Sequence, residues 1–502
     1  MSINIVGFSS AFKVPGFWAE TVFRAGGISL ASIPIRLLVS GTQLSTGTAT
    51  ADQDIVEIIS LDDSDAYHGA GSEINLMCQA ALRVPGVRLY AAANAEAGGA
   101  VAAAATITIG GSWTTSGEWA YRLNGVRYTG ATASTDTIQI VATAIAAAFN
   151  SDAHSPATAA VGAGPGYVVT LTMKSKGARG NDYVLWQEKG RLASGMTSVM
   201  AGGSDVSGTT NQAIKFASGS GTDTVTTLLT KLLPGLYDRN AVAQNDATAM
   251  VAWRNQARVK AGVLEGRLEH IVAATNAASG TATSLAGTSI NDERVQLLWL
   301  LNSEMHPSQL AAVMGATRVA AEQDDPSAYY DGQPLVGAAP QAFASDVPTT
   351  ATQSSMLDNG VTPLTTVNGE VQVVRSIVTH CLNGASPDYR CLDTYQAVIP
   401  DYVRNAIGLY WTTVYKVGNP KVNSDPDPSQ RDRPAGVATP KRWNQAVYGL
   451  LKGFETNLWI TDVDDNLPVS EFNTAARRIM SIIPVIPSFA NHQTGISVRQ
   501  TG

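Results

Sequence analysis

The feature that most restricts the fold is an alternation that breaks off and later resumes. IPIRLLVS and IVEIIS read as strands, and VRLYAAA as a third. Between them GSEINLMCQAAL reads as a helix, with Ile74, Met77, Cys78 and Leu82 on one face. Strand and helix in turn make an α/β layer. After residue 224 the pattern returns. NAVAQ, HIVAATN and RVQLLWLLN are strands, DATAMVAWRNQARVKAG is a long helix, and PSQLAAVMGATRVAAEQ is a helix with Pro307 in its first turn. From 104 to 190 the texture differs. TITIGG, EWAYRLNGVRYTG, YVVTLTMKS and YVLWQE are strands, Asn124-Gly125 marks a hairpin, and one helix carries Ile138, Val141, Ile145 and Phe149 as a stripe. A β-rich unit inserted into an α/β domain explains both textures.

The two ends are of another kind. In VPGFWAETVF, Phe17, Ala19, Thr21 and Phe23 alternate with Trp18, Glu20 and Val22, as in a strand, but no hairpin partner lies nearby. Residues 357–378, LDNGVTPLTTVNGEVQVVRSIV, hold two Asn-Gly turns and then an alternating run, and VQVVRSIVTH reads as one strand. LDTYQAVIPDYVRNAIGLYWTTVYK is helical with a step at Pro400, and WNQAVYGLLKGFETNLW is a second helix after a Pro- and Asp-rich linker. RRIMSIIPVIPSF is extended, and Pro484 and Pro487 confine it to a sheet edge. The resulting division has an N-terminal arm (1–25), an α/β domain in two parts (26–103 and 191–355) and the insertion (104–190). A C-terminal α+β domain (356–485) and a C-terminal arm (486–502) complete it.

A chain of 502 residues exceeds one ordinary core, so about three domains are expected. Its charged share of 15% lies well below the usual ~25%, which suggests surface buried against partners. A net charge of −7 argues against nucleic-acid binding, which needs a basic face. Three cysteines, Cys78, Cys381 and Cys391, are too few and odd in number for a disulfide framework, so a reducing compartment is expected. The N-terminus lacks the basic-then-apolar order of a signal peptide, and no apolar run approaches the ~18 residues of a membrane span.

The search for chemistry yields no site. Of the histidines His68, His154, His270, His306, His380 and His492, no two stand at i, i+4 as in a zinc-protease helix. Cys381 and Cys391 near His380 match no zinc spacing. GAGPG at 162–166 precedes a strand, so its amides do not join a helix N-terminus to hold phosphate. HGAGS at 68–72 opens a helix with Ser72 as its N-cap, but lacks the Lys of a phosphate loop. TDVDDN at 461–466 has Leu467 and Asn473 where a calcium loop of the helix–loop–helix type needs Gly and Glu. No cofactor and no metal are expected.

AYHGAGSEINLM, KGARGNDYVL, NGVTPLTTVNGEVQVVRSIVTH and CLDTYQAVIPDYVRNAI, four stretches in this order, together resemble the tail sheath proteins of contractile bacteriophages, of the Mu-like type. AYHGAGSEINLM at 66–77 is similar to a recurrent run of that family, with His68 for the usual aromatic and Ile74 for the usual Leu. KGARGNDYVL at 176–185 resembles the end of its inserted β domain, and NGVTPLTTVNGEVQVVRSIVTH at 359–380 the start of its C-terminal domain. CLDTYQAVIPDYVRNAI resembles the next helix, with a Tyr-x-Arg step at Tyr402 and Arg404. The resemblance implies a multidomain α/β plus α+β chain. Its parts are a central domain subtilisin-like in shape only, an outer β-rich insertion, a C-terminal assembly domain and extended terminal arms.

The implied function is structural, not enzymatic. Six-membered rings stack helically around a tail tube and contract to drive it through the host envelope. Implied partners are the chain itself, the tail tube protein, and the baseplate and tail terminator proteins, with no direct nucleic acid contact and no membrane insertion. The implied location is the virion tail, assembled in the host cytoplasm. Arms would add strands to sheets of neighbouring copies, as in β-augmentation. Val14, Phe17, Trp18, Val22, Val371, Val373, Ile482, Ile483, Ile496 and Val498 are the residues expected to carry that exchange. A sheath of a contractile bacteriocin, and an α/β hydrolase, are the other readings.

Overall fold

The computed structural model describes residues 35–162, 167–206, 212–262, 265–341, 343–427 and 432–491. The chain divides into two compact units between Tyr402 and Val403, and residues 403–486 make the smaller one.

The larger unit begins with β1 (Arg36–Thr42), β2 (Val56–Ile58), α1 (Leu61–His68), α2 (Glu73–Leu82) and β3 (Arg88–Asn94). The insertion follows: β4 (Ala104–Gly111), β5 (Gly117–Leu123), β6 (Val126–Thr132), α3 (Ile138–Ser151), β7 (Ala157–Val161), β8 (Val168–Met173), β9 (Val184–Gln187), β10 (Met196–Ala201) and β11 (Ala213–Lys215). The chain then returns through α4 (Thr226–Leu232), β12 (Arg239–Val242), α5 (Ala247–Ala261), β13 (His270–Thr275), β14 (Val295–Trp299) and α6 (Pro307–Asp324). Last come α7 (Thr350–Asp358), β15 (Thr362–Val367), β16 (Glu370–Val373) and the first half of α8 (Thr394–Tyr410), a helix that contains Pro400 and within which the boundary at Tyr402 falls.

Eight of these strands form one sheet in the order β16-β15-β14-β13-β12-β1-β3-β2. The strands from β15 to β3 in that order run parallel, and only the two edges, β16 and β2, are antiparallel. Alternate side chains of each strand enter opposite cores. Leu37 and Val39 of β1 join α2 and α6 on one face, while Leu38 joins α4 and α5 on the other. All three are fully buried, as an inner strand covered on both faces requires, and each such side chain is worth ~1.5–3 kcal/mol. Ser72 caps α2 as expected, its hydroxyl accepting from the Asn75 N–H. The short α1, LDDSDAYH, has no apolar stripe to announce it. A capping box between Ser60 and Asp63 starts it.

The insertion is two four-stranded sheets, β10-β4-β8-β7 and β11-β9-β5-β6, around a core that includes Trp119, Tyr121, Phe149 and Phe216. Asn124 (φ 54°) and Gly125 (φ 77°) make the expected hairpin turn. The unit does not end at 190. β10 pairs with β4 and β11 with β9, and the bridges Val101↔Ser220 and Ala104↔Ala217 bring entry and exit together. The Gly-, Ser- and Thr-rich texture around these last strands hides them in the sequence.

A second correction concerns residues 356–402. Thr362 and Pro363 pair in parallel with Leu298 and Trp299, so this stretch completes the central sheet and does not open a separate domain. Nor is VQVVRSIVTH one strand, since β16 stops at Val373.

In the smaller unit α9 (Pro440–Thr456) buries Trp443, Val447, Leu451 and Phe454, one stripe at helical spacing. It packs on β17 (Val469–Asn473), which pairs antiparallel with β18 (Arg478–Ile482).

Candidate functional site

The β17–β18 pair is the most unusual surface of the smaller unit. Among the described residues no third strand joins it. One face of the ribbon presents Val469 opposite Ile482, 65% and 74% exposed, beside Glu471 opposite Met480. The other face turns to α9, where the Trp443 indole N–H donates to Ser481 Oγ (2.9 Å). A groove of about 440 Å³ opens beside β18, lined by Trp411, Tyr415, Val422, Trp443, Ile479 and Ile483, with Lys416, Lys421, Arg477 and Arg478 around them. Another, of about 630 Å³, opens beside β17 and includes Asn444, Tyr448, Leu467, Pro468 and Ser470. A ribbon edge flanked by hollows that can take side chains is what an added extended segment needs.

The larger unit treats its sheet edge differently. The outward backbone of β16 is already bonded. Gly332 N–H donates to Val373 O (2.8 Å), Val373 N–H to Gln333 O (3.0 Å) and Leu335 N–H to Val371 O (2.9 Å). Residues 332–335 thus cover this edge as a strap.

A buried ionic node ties the insertion to the central sheet. Arg179, in the short segment between β8 and β9 where the chain passes from one sheet of the insertion to the other, holds Glu73 at the start of α2 through Nε–Oε1 (2.8 Å) and Nη2–Oε2 (2.7 Å). The same Nη2 reaches Asp223 Oδ2 (2.6 Å), beyond the return crossing. Glu73 Oε2 also accepts from the Thr42 N–H and hydroxyl at the end of β1. Burial pushes the Glu73 carboxyl up, but Arg179 outweighs it and holds the pKa at about 2. His306 stacks on Tyr183 with centroids 4.2 Å apart. Its Nε2 lies 3.1 Å from the Arg179 carbonyl, which can only accept, so Nε2 carries the proton and Nδ1 faces the Ser308 hydroxyl. The hairpin tip adds to the joint: Asn124 Oδ1 accepts from the His306 and Gln309 N–H groups, at 3.1 and 2.8 Å, where α6 begins.

Other titratable groups in the larger unit are likewise engaged. Asp401 of α8 accepts from Arg294 and meets His270 Nε2 at 3.1 Å. Burial opposes the Asp401 charge, yet hydrogen bonds from His270 and Arg294 hold its pKa at about 2. Burial lowers His270 to about 3 and His68 to about 4. Glu322, between Arg239 and Arg318, is held at about 2 against its burial.

No family model matches the chain, and no curated protein does. Among solved structures it is similar to a sheath tail protein from Desulfitobacterium hafniense, with 11% identity, 94% of this chain and 96% of that chain covered, and a TM-score of 0.49. A sheath tail protein from Listeria innocua aligns at 11% identity over 92% and 93% of the two chains, with a TM-score of 0.47. The helical sheath of the anti-feeding prophage in its contracted state aligns at 10% identity over 98% and 99%, with a TM-score of 0.45.

The expected exchange residues fall in three places. Val14, Phe17, Trp18, Val22, Ile496 and Val498 lie outside the described residues. Val371 and Val373 are core residues, 1% and 0% exposed, and the strap has taken the ladder they were expected to offer. Ile482 and Ile483 do lie at the open hairpin, but Ile482 already has Val469 as an in-chain partner, so the segment from Ile482 is not wholly unpaired. The sequence reading missed β17 as that partner, and it missed Arg179 and Glu73. The only hint of the latter was that one sits in each of two resemblance motifs. GAGPG falls largely outside the described residues. TDVDDN is a surface turn whose Asp464 accepts from Tyr448 and Lys452.

Proposed function

We propose that this chain is the subunit of a contractile tail sheath, polymerising around a tail tube and contracting to drive it through a host envelope. The observation that carries the reading is the β17–β18 ribbon, which among the described residues has no third strand and has a groove on each side. Two of the four family-like motifs support it further, since 66–77 and 176–185 meet at the Glu73–Arg179 node. The parallel sheet covered on both faces is compatible with the subtilisin-like shape the family implies.

The assembly site moves accordingly from β16 to the ribbon. The arms around Val14–Val22 and Ile496–Val498 of neighbouring copies add strands there, beside Ile482 and Ile483. A six-residue arm forming about four ladder bonds gains a few kcal/mol, at ~0.5–1.5 kcal/mol net each. Anchors such as Phe17 or Trp18 add ~1.5–3 kcal/mol apiece on burial. Because head-to-tail contacts of this kind need not close, they build an open helix. Its partners are other copies in stacked six-membered rings, a tube protein, and baseplate and terminator proteins, in a virion tail assembled in the host cytoplasm. The same geometry serves the sheath of a phage-like injection particle.

Negative-stain microscopy of the purified full chain tests the function: striated tubes are expected, and monodisperse particles under all polymerising conditions would overturn it. Removing residues 1–20 tests the arms. A folded protein without tubes is expected, and long tubes from the truncated chain would end their role.

A further inference from the structure

The chain contains four Asn-Gly pairs, at 124–125, 359–360, 368–369 and 383–384, and the fold treats them in two ways. Asn-Gly is the pair in which a backbone nitrogen most easily reaches a side-chain carbonyl, because glycine adds no bulk beside it. Whether it does so depends on the freedom of the carboxamide and of the glycine.

Two pairs are pinned. The Asn124 carboxamide accepts from His306 N–H and Gln309 Nε2, and its own nitrogen lies 3.3 Å from Gln309 Oε1. Asn359 donates through Nδ2 to Ser355 O (2.8 Å), and the Gly360 N–H, the nitrogen that would attack, is itself bonded to Leu357 O (3.3 Å). A Cβ at Gly360 would stand 2.6 Å from Thr379 O, so this glycine has no room to shift.

The other two are open. Asn368 and Asn383 are exposed, and nothing lies within 4 Å of where a Cβ would stand on Gly369 or Gly384. We infer that Asn368 and Asn383 are sites of spontaneous deamidation in the folded protein, while Asn124 and Asn359 are protected by the contacts just named. The inference stands apart from the sheath reading.

The step is intramolecular. The Gly369 nitrogen attacks Asn368 Cγ, the N–Cγ bond forms, the Cγ–Nδ2 bond breaks, and ammonia leaves with the proton given up by the amide. Water then opens the five-membered imide at either carbonyl, leaving aspartate or a β-linked isoaspartate. Gly384 and Asn383 react in the same way. At 368 the β-linkage inserts a methylene into the two-residue turn between Val367 and Glu370, which are paired. It also places a new carboxylate beside Glu370.

The test is peptide mapping by mass spectrometry of the full-length folded protein after incubation at mildly alkaline pH. Freeing a pinned carboxamide means breaking its hydrogen bonds first, so the fraction converted at Asn368 and Asn383 should exceed that at Asn124 and Asn359 by about tenfold or more. In denaturant the four sites should converge. Asn368→Gly, which keeps a residue suited to positive φ at the turn, should abolish conversion there and leave Asn383 unchanged. Equal conversion at Asn124 in the folded protein, no conversion at Asn368 and Asn383, or the same fourfold pattern in the denatured chain would each overturn the inference.

Discussion

Two antiparallel hairpins, β15–β16 and β17–β18, start from similar local sequence and end with opposite fates. EVQV alternates, and RIMSI is an equally short run with Ile479, Met480 and Ile482 apolar. In the first, Val371 and Val373 are buried and residues 332–335 bond the outer edge. In the second, Val469, Met480 and Ile482 stay exposed and, among the described residues, no third strand joins the pair. A short apolar run therefore tells that a strand exists. What covers its edge is decided elsewhere in the chain, and here that cover separates a finished sheet from one able to accept a neighbour.

The contrast extends to charge, and the largest expected effect tests that side of it. Arg179→Ala leaves Glu73 and Asp223 buried without their cation, a change that costs about 3–5 kcal/mol. Thermal unfolding should show the loss. Glu73→Gln with Asp223→Asn in the same background should recover much of it, and no recovery would mean the node is not the cause.

Acid should act on the larger unit next. Glu73 has a folded pKa of about 2 against an ordinary 4.5, so its share of stability is complete above about pH 4.5 and is lost as pH falls toward 2. That share is ~3 kcal/mol by linkage. Glu322 and Asp401 act in the same direction. His270 and His68, lowered to about 3 and about 4, begin the decline already below pH 6.5, because the unfolded chain takes up protons there first. Chemical denaturation across pH 7 to 2 should show a monotonic fall, and a flat profile would contradict the buried network.

The hairpins themselves can be set against each other. Val373→Ala should cost about 1–3 kcal/mol by opening a cavity, yet leave tube formation intact in the variant that still folds. Ile482→Lys should change stability within about 0.5 kcal/mol, as an exposed site does, and abolish tubes. The reverse outcome in microscopy and unfolding assays would return the assembly edge to β16. Ser481→Ala removes the partner of the Trp443 indole, and unfolding should show a loss of ~0.5–1.5 kcal/mol.

Much of this molecule was legible in its residues, for reasons that can be named. The doubly buried strands betray themselves by unbroken apolar runs such as LLV, and the cap at Ser72 and the turn at Asn124-Gly125 by residue type. The strap was not legible. YYDGQPLVG has no periodicity, and its bonds to β16 are made by backbone, which carries no sequence signal. The node was not legible either, because Glu73 and Arg179 are 106 residues apart and a single buried charge has no period. The end of the insertion was misjudged because β11 is only three residues long.

The bridges Val101↔Ser220 and Ala104↔Ala217 have one more consequence. A module whose way in and way out are neighbours in one ladder can be lifted from its host and replaced by a short loop, or by a foreign domain with similarly spaced ends. Such a graft would strand Glu73, whose counter-ion travels with the removed cassette, so it should carry Glu73→Gln from the outset.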